Sequence, residues 1–147
     1  MRNNNEKEII IVGLKSFFKK AFGEEEITDA RTYLSFNAKA PSSELTASVE
    51  NGVMTFSGKG ALYPVCDGVV SSVIEEDGKF TLTIKHSDSF NTVISGVDFV
   101  YTEAGEDVFA YIPVCFIGGG EANVYLYDEQ TLLTNYIVED GVIIWES

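Results

Sequence analysis

Four Asn-Gly or Asp-Gly dipeptides, at 51–52, 67–68, 77–78 and 140–141, punctuate this chain. Such pairs supply the left-handed backbone positions that tight hairpins require. Between them lie short runs rich in Val, Ile, Thr, Tyr and Phe, the composition of strands. The runs are Thr32–Asn37, Val53–Ser57, Val69–Ile74, Phe80–Lys85, Thr92–Ile94, Val97–Tyr101, Tyr111–Ile117, Asn123–Tyr127, Thr134–Val138 and Val142–Trp145. Ala104-Gly105 and Gly118–Gly120 read as further turns. Helical spacing is absent throughout this region. The expectation is therefore a mainly β chain, an antiparallel sandwich or barrel-like domain.

Helical periodicity is confined to the start. From Glu8 to Phe22 the apolar residues Ile10, Leu14, Phe17, Phe18 and Ala21 fall on one helix face, and Gly23 can end the helix. Lys15, Lys19 and Lys20 lie on other faces. Two readings stay open: a basic amphipathic helix resting on a membrane or a partner, or a helix docked on the chain's own sheet. The apolar run Ile9–Leu14 lacks the length and cleavage site of a signal peptide. It also falls short of the ~20 residues that span a bilayer. Ala40-Pro41-Ser42-Ser43 is the expected joint between an N-terminal extension, residues 1–40, and a β body, residues 41–147.

Charge is unevenly spread. The chain carries −13 overall, with +3 in residues 1–20 and −16 in the remainder. A body this acidic repels nucleic-acid phosphates, so nucleic acid is excluded as a partner, while a basic partner is allowed. The two cysteines, Cys66 and Cys115, are either small buried apolar residues or one bridge worth about 4 kcal/mol in the chain-entropy view. Pro64-Val65-Cys66 recurs as Pro113-Val114-Cys115, a hint of quasi-twofold symmetry.

The order of landmarks over residues 61–145 resembles the LytM-type (lysostaphin-like) zinc endopeptidases. Tyr63-Pro64-Val65-Cys66-Asp67-Gly68-Val69-Val70 is similar to their opening β turn, and Leu82-Thr83-Ile84-Lys85-His86-Ser87 to their strand ending in Asp-His-Gly. Ser89–Val97 resembles the segment that carries Ala-His in the family. Tyr101–Val108 resembles Val-x-x-Gly-Asp-x-Val, and Ile117–Gly120 a shortened glycine loop. Asn123-Val124-Tyr125-Leu126-Tyr127 stands where the family has His-Leu-His-Phe-Glu.

The resemblance implies a zinc site, and the chain departs from it. Active members hold zinc through a His and an Asp of an early motif and the second His of the His-x-His pair. Those positions fall near Val49 and Val53 and at Asn123-Val124-Tyr125, and the Ala-His position falls at Ser95-Gly96. Three protein ligands and an open position are what zinc catalysis requires. The chain has one histidine, His86, which matches the family's non-ligating turn histidine. No cofactor is expected. A thiol nucleophile paired with His86 is disfavoured, because neither cysteine has a basic neighbour in sequence. The acidic turns Glu75–Asp77 and Glu103–Asp107 read as solvated hairpin ends rather than a calcium loop.

The resemblance thus implies a pseudoenzyme: an inactive peptidase-like module that scaffolds or binds. Its former substrate groove would be bordered by Ser95, Gly96, Asn123 and Tyr125. The implied setting is extracytoplasmic and membrane-anchored, with another envelope protein or peptidoglycan as partner and a sporulation-type complex as one context. Membrane contact would run through residues 8–22. Two alternatives remain: a biotinyl or lipoyl carrier-type β domain using Lys79 or Lys85, and an active cell-wall metallopeptidase with an unrecognised site.

Overall fold

The computed structural model describes residue 33 and residues 36–146. The helix expected at 8–22 lies outside the described residues. So does much of the expected strand 32–37, and its described residues, 33, 36 and 37, are not strand.

Eleven strands follow: β1 (Thr46–Glu50), β2 (Val53–Leu62), β3 (Gly68–Glu76), β4 (Lys79–Lys85), β5 (Phe90–Val97), β6 (Phe99–Val100), β7 (Asp107–Val108), β8 (Cys115–Asp128), β9 (Thr131–Leu132), β10 (Tyr136–Glu139) and β11 (Val142–Trp145). Nine of them form one sheet in the order β1-β2-β8-β5-β4-β3-β7, with β6 and β9 also on β8. β10 and β11 make a separate hairpin. Every pairing is antiparallel.

The turn chemistry works as the dipeptides imply. Asn51 and Gly52 have φ of 53° and 81°, Asp77 and Gly78 have 55° and 81°, and Asp140 and Gly141 have 53° and 76°. Two consecutive left-handed residues match the right-handed twist of the strands they join. Asp67-Gly68 is different. Gly68 begins β3, and a Cβ there would stand 2.7 Å from the Lys85 carbonyl and 2.9 Å from His86 Nδ1. Glycine is needed for close approach, not for a turn.

Gly118–Gly120 also departs from the sequence reading. The three glycines lie inside β8, which runs unbroken from Cys115 to Asp128. The register between β2 and β8 shifts there, between Ser57 and Lys59. Glycines let one strand bend and change partners without ending. Asp98 pins the bend: its Oδ2 accepts the Gly118 N–H at 2.6 Å, and its Oδ1 accepts from Lys79 Nζ at 2.5 Å. That lysine bond, and then the Gly118 N–H, hold the Asp98 carboxyl below the usual carboxylate range.

Side chains alternate cleanly across the central strands. On the back face Met54, Val124, Ile94 and Leu82 form one cross-strand row, and Leu126, Thr92 and Ile84 another; all are fully buried. Burying each large aliphatic side chain contributes about 1.5–3 kcal/mol. The β10–β11 hairpin packs on this core through Tyr136 and Ile143. Trp145 of β11 meets Tyr33 edge-on at 4.7 Å and Phe90 at 5.9 Å, tying residue 33 to the body. Residues 38–41 are tied in too, through Lys39 bridged to Val142 and the Ala40 N–H donating to the Gly141 carbonyl.

The repeated Pro-Val-Cys does not mark equivalent strands. Cys115 opens the central strand β8, while Cys66 precedes β3 near the sheet's far edge. Both cysteines are buried and unbonded.

Candidate functional site

The front face of the sheet is built by the opposite set of alternating residues. Val53 (β2), Tyr125 (β8), Val93 (β5) and Thr83 (β4) stand in register across four strands. The next row is Thr55, Asn123, Ser95 and Thr81. A third row contains Tyr127, Asn91 and Lys85. All of these are half-buried, in contrast to the sealed rows behind them.

The face is ordered by local contacts. Thr55 Oγ1 donates to Asn123 Oδ1 at 2.9 Å, which fixes the amide with its NH2 group left to donate elsewhere. Tyr125 and Tyr127 stack at 6.5 Å between centroids, 25° between planes, as next-but-one residues on one strand do.

Of the residues singled out in the sequence, Ser95 and Asn123 are direct cross-strand partners, and Tyr125 is the neighbouring face residue on β8. Gly96 is placed differently. It has φ of 84°, and a Cβ would stand 3.0 Å from the Glu121 carbonyl, so it shapes the end of β5 through its backbone. Val53 faces Tyr125 directly, while Val49 pairs with Met54 and belongs to the opposite side of the hairpin. Thr55, Thr81, Thr83 and Asn91 complete the face. Their alternation with apolar residues was a readable signal, but only strand pairing shows that they meet.

The donors on this face are hydroxyls, amides, one ammonium and two phenols. Zinc sites use imidazole, thiolate and carboxylate. Among the described residues no three His, Cys, Asp or Glu side chains converge. The residues of this face do not fit a zinc ion, and no catalytic step is derived through one.

His86 is committed elsewhere. Its Nδ1 lies 2.9 Å from the Asp67 carbonyl and its Nε2 lies 2.7 Å from Thr92 Oγ1. A carbonyl only accepts, so Nδ1 carries the proton and Nε2 accepts from the threonine hydroxyl. Burial beside Phe36 and Phe90 lowers its pKa to about 4, against the opposing pull of the Asp67 carbonyl and carboxylate. The ring is neutral at pH 7, with both nitrogens used. The thiols are equally unavailable: burial pushes Cys66 up to about 12, aided by Asp67, and pushes Cys115 up to about 12.

Solved structures share this arrangement of strands. A zinc-containing peptidase from Vibrio cholerae superposes on 67% of this chain and 38% of its own, with 14% identity and a TM-score of 0.57. The M23 metalloprotease pseudoalterin, from the deep sea, matches over 73% of this chain and 84% of its own, with 10% identity and a TM-score of 0.55.

The chain has the M23 peptidase fold.

A chain of the SpoIIIAH–SpoIIQ complex also matches, over 68% of this chain and 88% of its own, at 11% identity and a TM-score of 0.53. This M23-fold chain spans well under half the length of the Vibrio cholerae peptidase. No protein-family model matches the sequence, and no curated protein matches it. Among the described residues no helix of this M23-fold chain is long and apolar enough to cross a membrane.

Proposed function

We propose that this chain is a non-catalytic member of the M23 fold, acting as a binding or scaffold module through the sheet face at Ser95, Asn123 and Tyr125. One observation carries the reading: of the positions aligned with zinc-site residues, Val53, Ser95, Asn123 and Tyr125 meet on one face while Val49 lies on the other side, and none of them, Gly96 included, brings an imidazole or carboxylate. What remains is a half-buried strip of tyrosine, amide and hydroxyl groups. Such surfaces suit protein recognition, since aromatic rings give contact area at low entropic cost. The match to a chain of the SpoIIIAH–SpoIIQ complex supports another protein as the partner. The partner we propose is an envelope protein, in an extracytoplasmic setting behind a membrane anchor, with peptidoglycan as the other candidate ligand. The carrier-type reading is weakened by Lys79, which is held by Asp98 rather than free at the hairpin tip.

The deciding experiment measures metal and activity together. The purified full chain, given zinc and then dialysed, is assayed for zinc content and for solubilisation of purified peptidoglycan. The expected result is no stoichiometric zinc and no release of cell-wall fragments. One tightly bound zinc per chain together with cell-wall hydrolysis overturns the proposal.

A further inference from the structure

A second surface lies behind the hairpin of β1 and β2, on the side away from Tyr125. β1 pairs with β2 and with no other described strand, so its outer edge has no strand partner among the described residues. Its five residues are all exposed. Beside it runs an open groove of about 930 Å³, lined by Ala47 and Val49 of β1, Met54 and Phe56 of β2, and Tyr136 and Val138 of β10. The groove is held to a fixed shape at one end. The Tyr136 hydroxyl donates to the Gly52 carbonyl at 3.0 Å, and a Cβ at Gly52 would stand only 2.5 Å from the Leu133 carbonyl oxygen and 2.7 Å from Thr134 Cγ2.

Sheet edges are normally guarded by lysine, proline, a bulge or a covering element, because an open edge recruits another strand. Among the described residues β1 has none of these. Its sequence is Thr-Ala-Ser-Val-Glu, and its register with β2 is continuous from Thr46↔Ser57 to Glu50↔Val53. Apolar side chains flank the groove in the open, Val49 at 39% exposure and Ile137 at 41%.

The charges at this edge are acidic. The lining residues, which fall within 40–56 and 134–141, include Asp140 and no Lys or Arg, and β1 itself ends in Glu50. Lys39, just outside the first stretch, lies over the Tyr63 ring instead. A second copy of a chain carrying −13 would bring like charges to this edge.

We infer that the β1 edge and its groove dock an extended segment of another protein, with apolar residues at alternate positions and Lys or Arg at the others. A strand added to β1 satisfies the outward backbone groups and turns alternate side chains to the side of Ala47 and Val49, onto the groove. The remaining positions turn to the other side of the sheet, the side of Thr46, Ser48 and Glu50, where a basic side chain meets Glu50. This inference stands apart from the role given to the Asn123 face, which lies on the opposite side of the sheet from the groove.

The test uses the full chain and a fluorescent seven-residue peptide alternating lysine with valine. Two controls accompany it: the same peptide N-methylated at alternate backbone positions, and a glutamate–valine version. The expected result is saturable binding of the lysine–valine peptide, at least tenfold weaker for the controls. Val49→Lys and Glu50→Lys should each weaken it at least tenfold. Thr46→Lys replaces Val49→Lys if that variant does not fold. The same affinity for the N-methylated peptide, showing mere adsorption to an acidic surface, overturns the inference. So does no binding by the full chain, showing an edge already occupied. A dimer of the free chain that Val49→Lys dissociates also overturns it, because the occupant is then a second copy.

Discussion

His86 Nε2 accepts a hydrogen bond from Thr92 Oγ1 at 2.7 Å, while Nδ1 of the same ring donates to the Asp67 carbonyl. The chain's single imidazole thus joins the entry to β3 with the middle of β5. It is a structural bond between strands rather than a reactive group.

That role makes stability depend on pH. The folded His86 has a pKa of about 4 against an ordinary value of 6.5. Between those values the unfolded chain binds more protons than the folded one, so stability rises with pH across this window. The contribution is complete above pH 6.5 and is lost as pH falls towards 4. In urea denaturation, the natural chain should lose about 2 kcal/mol more between pH 7 and pH 4.5 than His86→Gln does. Parallel pH profiles for the two proteins would refute this assignment.

Thr92→Val should cost about 1–3 kcal/mol. Thr92 is fully buried, and valine keeps its shape while leaving the imidazole Nε2 without a donor. In the His86→Gln background the same substitution should cost measurably less, a coupling that a double-mutant cycle reads directly.

Two hairpin glycines with the same φ should respond differently to alanine. Gly52 and Gly78 both sit at 81°. A Cβ on Gly78 meets nothing within 4 Å, so Gly78→Ala carries only the left-handed backbone penalty of about 1–2 kcal/mol. A Cβ on Gly52 would stand 2.5 Å from the Leu133 carbonyl oxygen and 2.7 Å from Thr134 Cγ2. Gly52→Ala should therefore cost at least twice as much, read as the difference in thermal midpoint. Equal losses would show that the contact between the β1–β2 turn and Leu133 is loose.

Neither thiol should react in the native state. With both pKa values pushed to about 12, almost no thiolate exists at pH 8. An aromatic disulfide reagent should titrate no cysteine in buffer and two in denaturant. Because the unfolded thiols ionise near 9, stability should fall as pH climbs above 9. Fast modification of Cys66 in the folded chain would contradict the burial seen here.

The sequence made much of the strand inventory readable because the turns are chemically marked. Asn51-Gly52, Asp77-Gly78 and Asp140-Gly141 each close a hairpin with two left-handed residues. β1 leads into the Asn51-Gly52 turn, yet its only apolar side chains are Ala47 and Val49 and all five of its residues are exposed, too weak a pattern to stand out as a strand. The two-residue strands β7 and β9 are too short to show a period. Gly118–Gly120 misleads for a physical reason: glycine ends strands at turns but also bends them, and only the partners of β8 distinguish the two. On the front face, Ser95, Asn123 and Tyr125 were found through resemblance, while their neighbours Thr55 and Thr81 became visible only through pairing. The groove beside β1 could not be read at all, because it joins residues 40–56 to residues 134–141.

β8 sets the timetable for making this protein. It pairs with β2, β5, β6 and β9, and the Thr55–Asn123 contact closes a separation of 68 residues. Long-range pairings of this kind slow folding, because loop entropy is lost before the contacts that reward it can form. During synthesis, β2 and β5 emerge with a vacant place between them until residue 128 leaves the ribosome. In that interval the nascent chain exposes two unsatisfied strand edges and the apolar row of Met54, Ile94 and Leu82. A chain built this way has its greatest exposure to aggregation in the interval before the whole of β8, Cys115–Asp128, has emerged.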